Sequence, residues 1–284
     1  MSRDRLNALR LLIAYAALLF YASFYPFAFN WARLSDASLS WGYSAFGDRL
    51  INLLAYVPLG LLLVACGRGA GFATAAGFTM SLVVELSQNA TKARNPNLYD
   101  LFFNTVGTAL GAVLCLPVRP WIARGFAKLR SIELASPAGL LLLLWIALHS
   151  APFIGVIDRG KILASFDPSW SWIGVLRWTA MWMVFAAATT RLFRARWLLP
   201  LAALSMFSRF FFLLQSLDMN QVLGLIPGLA LSRMPGAFVF AAIAMFMPSP
   251  REPRYLYWME TVYLAAGAGW MFAARFRTKG SQNA

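Results

Sequence analysis

Sixty per cent of the 284 residues are hydrophobic and 13% are charged, with a mean hydropathy of +0.62; a soluble domain of this length needs far more charge, so the chain belongs with polytopic membrane proteins. The net charge of +14 does not point to nucleic acid, because the basic residues form short clusters at the ends of apolar runs and no soluble domain remains to bind it. Two cysteines and a single histidine, His149, leave almost no room for a disulfide framework, a metal cluster or a Ser-His-Asp triad, and no cofactor is called for.

The first apolar run, 11–29, follows Arg3, Arg5 and Arg10. At about 20 residues, and without a small-residue cleavage site, it reads as a retained first span rather than a signal peptide. Its end, YASFYPF, places tyrosines and Pro26 at the membrane interface. Further spans are expected near 49–67, 71–90, 99–117, 137–156, 172–190, 197–216, 221–247 and 256–274. The fold expected is therefore an all-α, polytopic transmembrane helical bundle of about nine spans.

Basic residues alternate in strength from loop to loop. Arg3, Arg5 and Arg10, then Arg68, then Arg119 and Arg124, then Arg191, Arg194 and Arg196, then Arg251 and Arg254 mark the cytoplasmic side of an inner membrane, with the N-terminus inside. Arg275, Arg277 and Lys279 break the pattern, because nine crossings put them outside. The run 221–247 is long for one span, and Pro227, Arg233 and Pro235 offer places to divide it in two, with ten crossings or a re-entrant segment as the alternative to nine.

The two halves share a register. Ser44–Gly47 matches Ser171–Gly174 at an offset of 127, Pro26-Phe27 matches Pro152-Phe153 at 126, and Gln88 matches Gln215 at 127. A degenerate tandem repeat of two four-span units accounts for this, with a first membrane domain over 1–130 and a divergent second copy plus a C-terminal span over 131–284. In that register Asp48 becomes Val175, Asn52 becomes Thr179 and Glu85 becomes Phe212, so the chemistry belongs to the first half.

Polar side chains concentrate around the second, third and fourth runs. Asp48 and Asn52 are spaced i,i+4, Glu85 and Gln88 i,i+3, and Asp100 and Asn104 i,i+4, so each pair shares a helical face; Lys92 and Arg94 sit in the connecting loop. With alternating spans, all three pairs meet at one membrane surface, the outer one by the charge rule. One account is an interhelical hydrogen-bond and ion-pair cluster that locks three helices. The other is a site for a polar lipid or lipid-linked glycan, with Arg94 suited to phosphate and Asn52, Gln88 and Asn104 to sugar or peptide groups. An enzyme using Glu85 and Asp100 as base and acid lacks an evident nucleophile, since Ser81, Ser87 and Thr91 have no histidine. Transport by two rocking halves fits poorly with a second copy that has lost the charges.

The ordered set Asp48-x3-Asn52, Pro58-x-Gly60, Glu85-x2-Gln88, Arg94, Asp100-x3-Asn104 and Gly107-x3-Gly111, together with YASFYPF, resembles the VanZ-like family of bacterial membrane proteins. The resemblance covers about the first 118 residues. It implies a cell-envelope membrane protein connected with teicoplanin resistance, without implying a defined activity. Elsewhere, Arg209 is an ionisable residue inside a span, expected to snorkel or to pair with Asp218. Glu260, His149 and the series Trp170, Trp172, Trp178 and Trp182 are expected at interfaces or in packing, and Gly107-x3-Gly111 at a close helix contact.

Overall fold

A computed structural model describes residues 3–32, 38–91, 96–130, 135–213, 215–248 and 254–280. All its regular elements there are helices, joined by isolated β-bridges, and five of them are long and apolar enough to cross a membrane. The chain divides into two units, one built from the first 129 residues and the other from the remainder, apart from Gly155–Ile157, which join the first.

Unit 1 contains α1 (Arg3–Phe24), α2 (Phe46–Ala65), α3 (Ala70–Gln88) and α4 (Leu98–Arg130). The helices stop where the sequence stops them. Pro26 follows α1; α2 ends at Gly67, whose φ of +93° lets its amide and that of Arg68 turn back to the carbonyls of Val64 and Leu63. Asn97 caps α4, its Oδ1 accepting from the Tyr99 amide at 2.9 Å.

Glycines bring α2 and α4 into backbone contact. A β-carbon on Gly60 would lie 1.9 Å from the Thr108 carbonyl oxygen, one on Gly111 1.9 Å from that of Val57, and one on Gly107 2.2 Å from that of Leu53. Because 53 to 57 advances alongside 107 to 111, the two helices run parallel, as alternating crossings require. Gly77 of α3 meets the Thr108 side chain in the same way. Tyr15 of α1 donates to the Ala55 carbonyl at 2.6 Å, and Leu19, Tyr56 and Leu59 form the apolar core of the unit.

Unit 2 is arranged around one buried helix. It contains α5 (Pro137–Ser150), α6 (Arg159–Ala164), α7 (Trp172–Leu192), α8 (Leu198–Ser208), α9 (Met219–Leu231), α10 (Ala237–Ala244) and α11 (Arg254–Gly280). Ser136, Ser171 and Asp218 cap α5, α7 and α9. From Arg177 onward helix α7 is enclosed, with Ala180, Met181 and Val184 wholly buried, and Gly224 and Gly228 of α9 lie against its backbone at Thr179 and Met183. Each unit also carries a cis X-Pro peptide, Tyr25–Pro26 and Ala151–Pro152, followed by a phenylalanine with positive φ, Phe27 and Phe153.

Several expectations for this half are corrected. Glu260 does not sit at an interface: it is buried in an ion pair, its Oε2 accepting from Arg177 Nε at 3.0 Å. Arg177 also donates to the carbonyls of Ala244 and Met247 and to Thr261 Oγ1, so one guanidinium ties α7 to α10 and α11. Arg209 neither snorkels nor pairs with Asp218. It is buried over the Trp178 ring, 4.7 Å from the centroid, and donates to the Ser216 carbonyl. His149 is buried too, stacked on Trp145. Trp178 and Trp182 lie in the core, whereas Trp170 and Trp172 are exposed.

The run 221–247 is not one span. Pro227 is accommodated inside α9, and the chain reverses over 232–236 so that α10 returns to the level of Arg177. Helix α11 therefore starts beside Arg177 and runs back, and Arg275 donates to the Pro235 carbonyl near Ala187, toward the end of α7. The C-terminal arginines thus belong to the same end of unit 2 as Arg191, Arg194 and Arg196, whereas Arg254, expected on their side, begins α11 at the opposite end beside Arg177, so the break in the charge pattern moves from Arg275 to Arg254.

Two outcomes follow. Gly60→Ala should destabilise by about 1–3 kcal/mol, because backbone rather than a side-chain tip must give way. Gly71→Ala, where nothing lies within 4 Å, should not, and thermal unfolding in detergent compares them. Single-cysteine labelling at position 194 and a reporter at the C-terminus should report the same side of the membrane; opposite sides would contradict the reversal at 232–236.

Candidate functional site

Parallel α2 and α4 with α3 between them in sequence bring four helix ends together. The C-termini of α1 and α3 and the N-termini of α2 and α4 form one polar end of unit 1, stapled by bridges between Phe29 and Thr91 and between Ser40 and Asn97. The Asn30 amide donates to the Ala90 carbonyl, and the Leu98 amide to that of Ser40.

Glu85 occupies the centre of this end. It is 2% exposed, and its Oε2 accepts from the Asn97 amide at 2.9 Å, which sets a carboxylate at the positive end of α4. Asn104, one helical turn beyond Asp100, donates through Nδ2 to Ser81 Oγ at 2.9 Å. Its Oδ1 is buried and has no hydrogen-bond partner among the described residues. The Tyr56 phenol of α2 lies within electrostatic reach of Ser81, Glu85 and Asp100, so three helices contribute to the cluster.

The other expected members are placed differently. Gln88 is buried but turns toward α1, donating through Nε2 to the Ser23 carbonyl at 3.0 Å. Asp48 is exposed in the first turn of α2; Asn52 is half-buried one turn before Tyr56 and on its face. Arg94 and Lys92 lie outside the described residues. Glu85, Asp100 and Asn104 are therefore brought together, with Asp48 and Asn52 leading toward them along α2.

The sequence reading passed over four participants. Tyr56 looks like an ordinary span residue, Ser81 reads only as a candidate nucleophile, and Asn97 looks like a loop residue, yet Asn97 caps α4, serves Glu85 and donates from Nδ2 to the Tyr43 carbonyl. Arg49 could have been found as the residue between two expected site positions on α2. Its guanidinium lies 4.3 Å from the Tyr99 ring centroid, and Trp41 meets the same ring edge-on at 4.9 Å. Trp41 and Tyr43 are exposed beside it, so aromatic surface borders the polar end. Among the described residues, no three carboxylate, thiol or imidazole groups converge as a metal-holding set. The cavities of about 420 and 350 Å³ lie elsewhere, beside Arg5 and Arg68 and beside Arg233 and Arg275.

Residues 12–123 match the model of the VanZ/LLP1 family. No curated protein and no solved structure matches the chain. The match ends in the long α4, so all of the polar end lies inside it and all of unit 2 outside it. With its apolar, span-length helices, the chain is a multi-pass membrane protein, and its residues 12–123 are a VanZ-like segment.

Proposed function

We propose that this protein is an envelope component of the bacterial inner membrane, with its N-terminus in the cytoplasm, and that the polar end of unit 1 faces outward and binds the headgroup of a lipid or lipid-linked glycan. The observation that carries the reading is Asn104 Oδ1, a buried acceptor without a partner among the described residues, set beside Ser81 and Glu85. A buried polar atom left unserved costs about 1–3 kcal/mol, and a hydroxyl or amide of a bound headgroup supplies what is missing. Asp48 and Asn52 offer further polar contacts along α2, and Arg49, Tyr99 and Trp41 offer a cation and ring faces suited to phosphate and sugar. Susceptibility to glycopeptides such as teicoplanin is the phenotype that the family resemblance suggests.

A division of labour follows from burial. Glu85, Gln88 and Ser81 join helices to one another, which favours an architectural role for them; Asp48, Asn52, Arg49 and Trp41 form the approach. The alternative, a membrane enzyme working through Glu85 and Asp100, has less support, because Glu85 Oε2 is engaged by a backbone amide. We also infer that unit 2 is a diverged copy of unit 1. The positive-φ phenylalanines and the two glycine pairs against α2 and α7 support that reading.

Lipid retained through purification, identified by mass spectrometry, tests the proposal. Asn52→Ala and Trp41→Ala should reduce a specific retained lipid or glycolipid and the envelope phenotype, at unchanged abundance and melting temperature. Glu85→Ala should lower stability by about 1.5–3 kcal/mol through the lost charge-assisted bond to Asn97. Unchanged lipid retention in both Asn52→Ala and Trp41→Ala would sink the binding reading and leave an interhelical lock.

A further inference from the structure

The opposite end of unit 1 holds a cavity of about 420 Å³, bounded by Arg5, Leu9 and Leu12 of α1, Leu63 of α2, the Cys66–Arg68 turn and Phe72 of α3. Its composition is ordered along one direction. Arg5, Leu9 and Leu12 follow one another on a single face of α1, at spacings of four and three, so the cation sits at the mouth and the leucines deeper in the span. Arg68 stands at the same level, its guanidinium 5.1 Å from the Phe72 ring centroid.

Gly67 makes the convergence possible. A β-carbon there would lie 3.2 to 3.4 Å from the guanidinium atoms of Arg5, so the positive-φ glycine that ends α2 also gives Arg5 its place. Among the described residues no carboxylate lines the cavity. Helix α3 starts here without a side-chain cap, so its positive end adds to the field of the two arginines.

A site with two guanidinium groups at the water interface above a leucine and phenylalanine wall matches an amphiphile with an anionic head and an apolar tail. We propose that this cavity binds an anionic phospholipid of the surrounding bilayer, with its phosphate between Arg5 and Arg68 and an acyl chain along Leu9, Leu12 and Leu63. Guanidinium forks suit phosphate oxygens, and their stems can lie along apolar surface while the charge stays at the interface. The site is separate from the polar end of unit 1, about one helix length away, and does not depend on what that end binds.

Cys66 supplies a direct readout. It forms part of the cavity wall and is half-buried, whereas the other cysteine, Cys115, is 1% exposed. In the unmodified protein in detergent micelles, phosphatidylglycerol should slow maleimide alkylation of Cys66 by about fivefold relative to phosphatidylcholine at the same mole fraction, as occupancy of a specific site requires. Glycerol 3-phosphate alone should give no protection. In the Arg5→Gln/Arg68→Gln protein the two lipids should protect equally. Equal protection by the two lipids in the unmodified protein, protection by glycerol 3-phosphate matching that of phosphatidylglycerol, or undiminished selectivity in the double variant would each overturn the proposal. The comparison of lipids needs no variant, so it stands even where the double variant fails to fold.

Discussion

The polar end of unit 1 depends on one hydrogen bond, from the Asn97 amide to the buried carboxylate of Glu85. A carboxylate at this depth is expensive in hydrocarbon, on the order of 2.5–3.5 kcal/mol at a helix centre on insertion scales, so it needs a fixed partner. The N-terminus of α4 supplies one without a second charged side chain: its first amides lack intrahelical acceptors and carry the positive end of the helix dipole. The bond therefore sets the level at which α4 begins relative to α3. That level in turn places Asn104 opposite Ser81 and directs Asp100 toward the Tyr56 face of α2.

The glycine contacts make the same arrangement sterically possible. With Gly60, Gly107 and Gly111 in place, α2 and α4 touch backbone to backbone, a packing that suits a lipid environment, where apolar side chains gain little by leaving the solvent. The close contact of Gly77 with Thr108 lets side chains as small as Ser81 and Asn104 meet across α3 and α4, and the short distance between α2 and α4 lets Tyr56 reach the group from α2. A wider spacing would call for longer polar side chains or admit water.

Unit 2 solves the problem of buried charge by other means. Where unit 1 sets a carboxylate against a helix end, unit 2 encloses Arg177 within α7 and satisfies it with Glu260, Thr261 and the carbonyls of Ala244 and Met247. Those carbonyls are available because α10 ends there, so the arginine consumes the acceptors that a helix C-terminus leaves over. The pair is completed internally. The Arg177 cluster thus holds α7, α10 and α11 together; elsewhere both units keep buried acceptors without a partner among the described residues, Asn104 Oδ1 in unit 1 and Gln215 Oε1 and Gln221 Oε1 in unit 2.

The sequence by itself determined the helical membrane class, the spacing of the polar residues along each helix and the VanZ-like character of residues 12–123. Composition is a bulk property, the i,i+3 and i,i+4 spacings follow from helix geometry, and the glycine pair and the order of motifs are local patterns that survive without coordinates. It offered Pro227, Arg233 and Pro235 as places to divide 221–247 but did not decide that the run folds back on itself, because the reversal at 232–236 is fixed by Arg177, distant in the chain, drawing on the carbonyls of Ala244 and Met247. Nor did it show Arg177 and Glu260 as partners, 83 residues apart, or separate Gln88, which turns to α1, from its neighbour Glu85. Which of several polar side chains on adjoining helices share a partner depends on helix rotation and depth, and those are set by packing between segments distant in the chain rather than by any spacing within one of them.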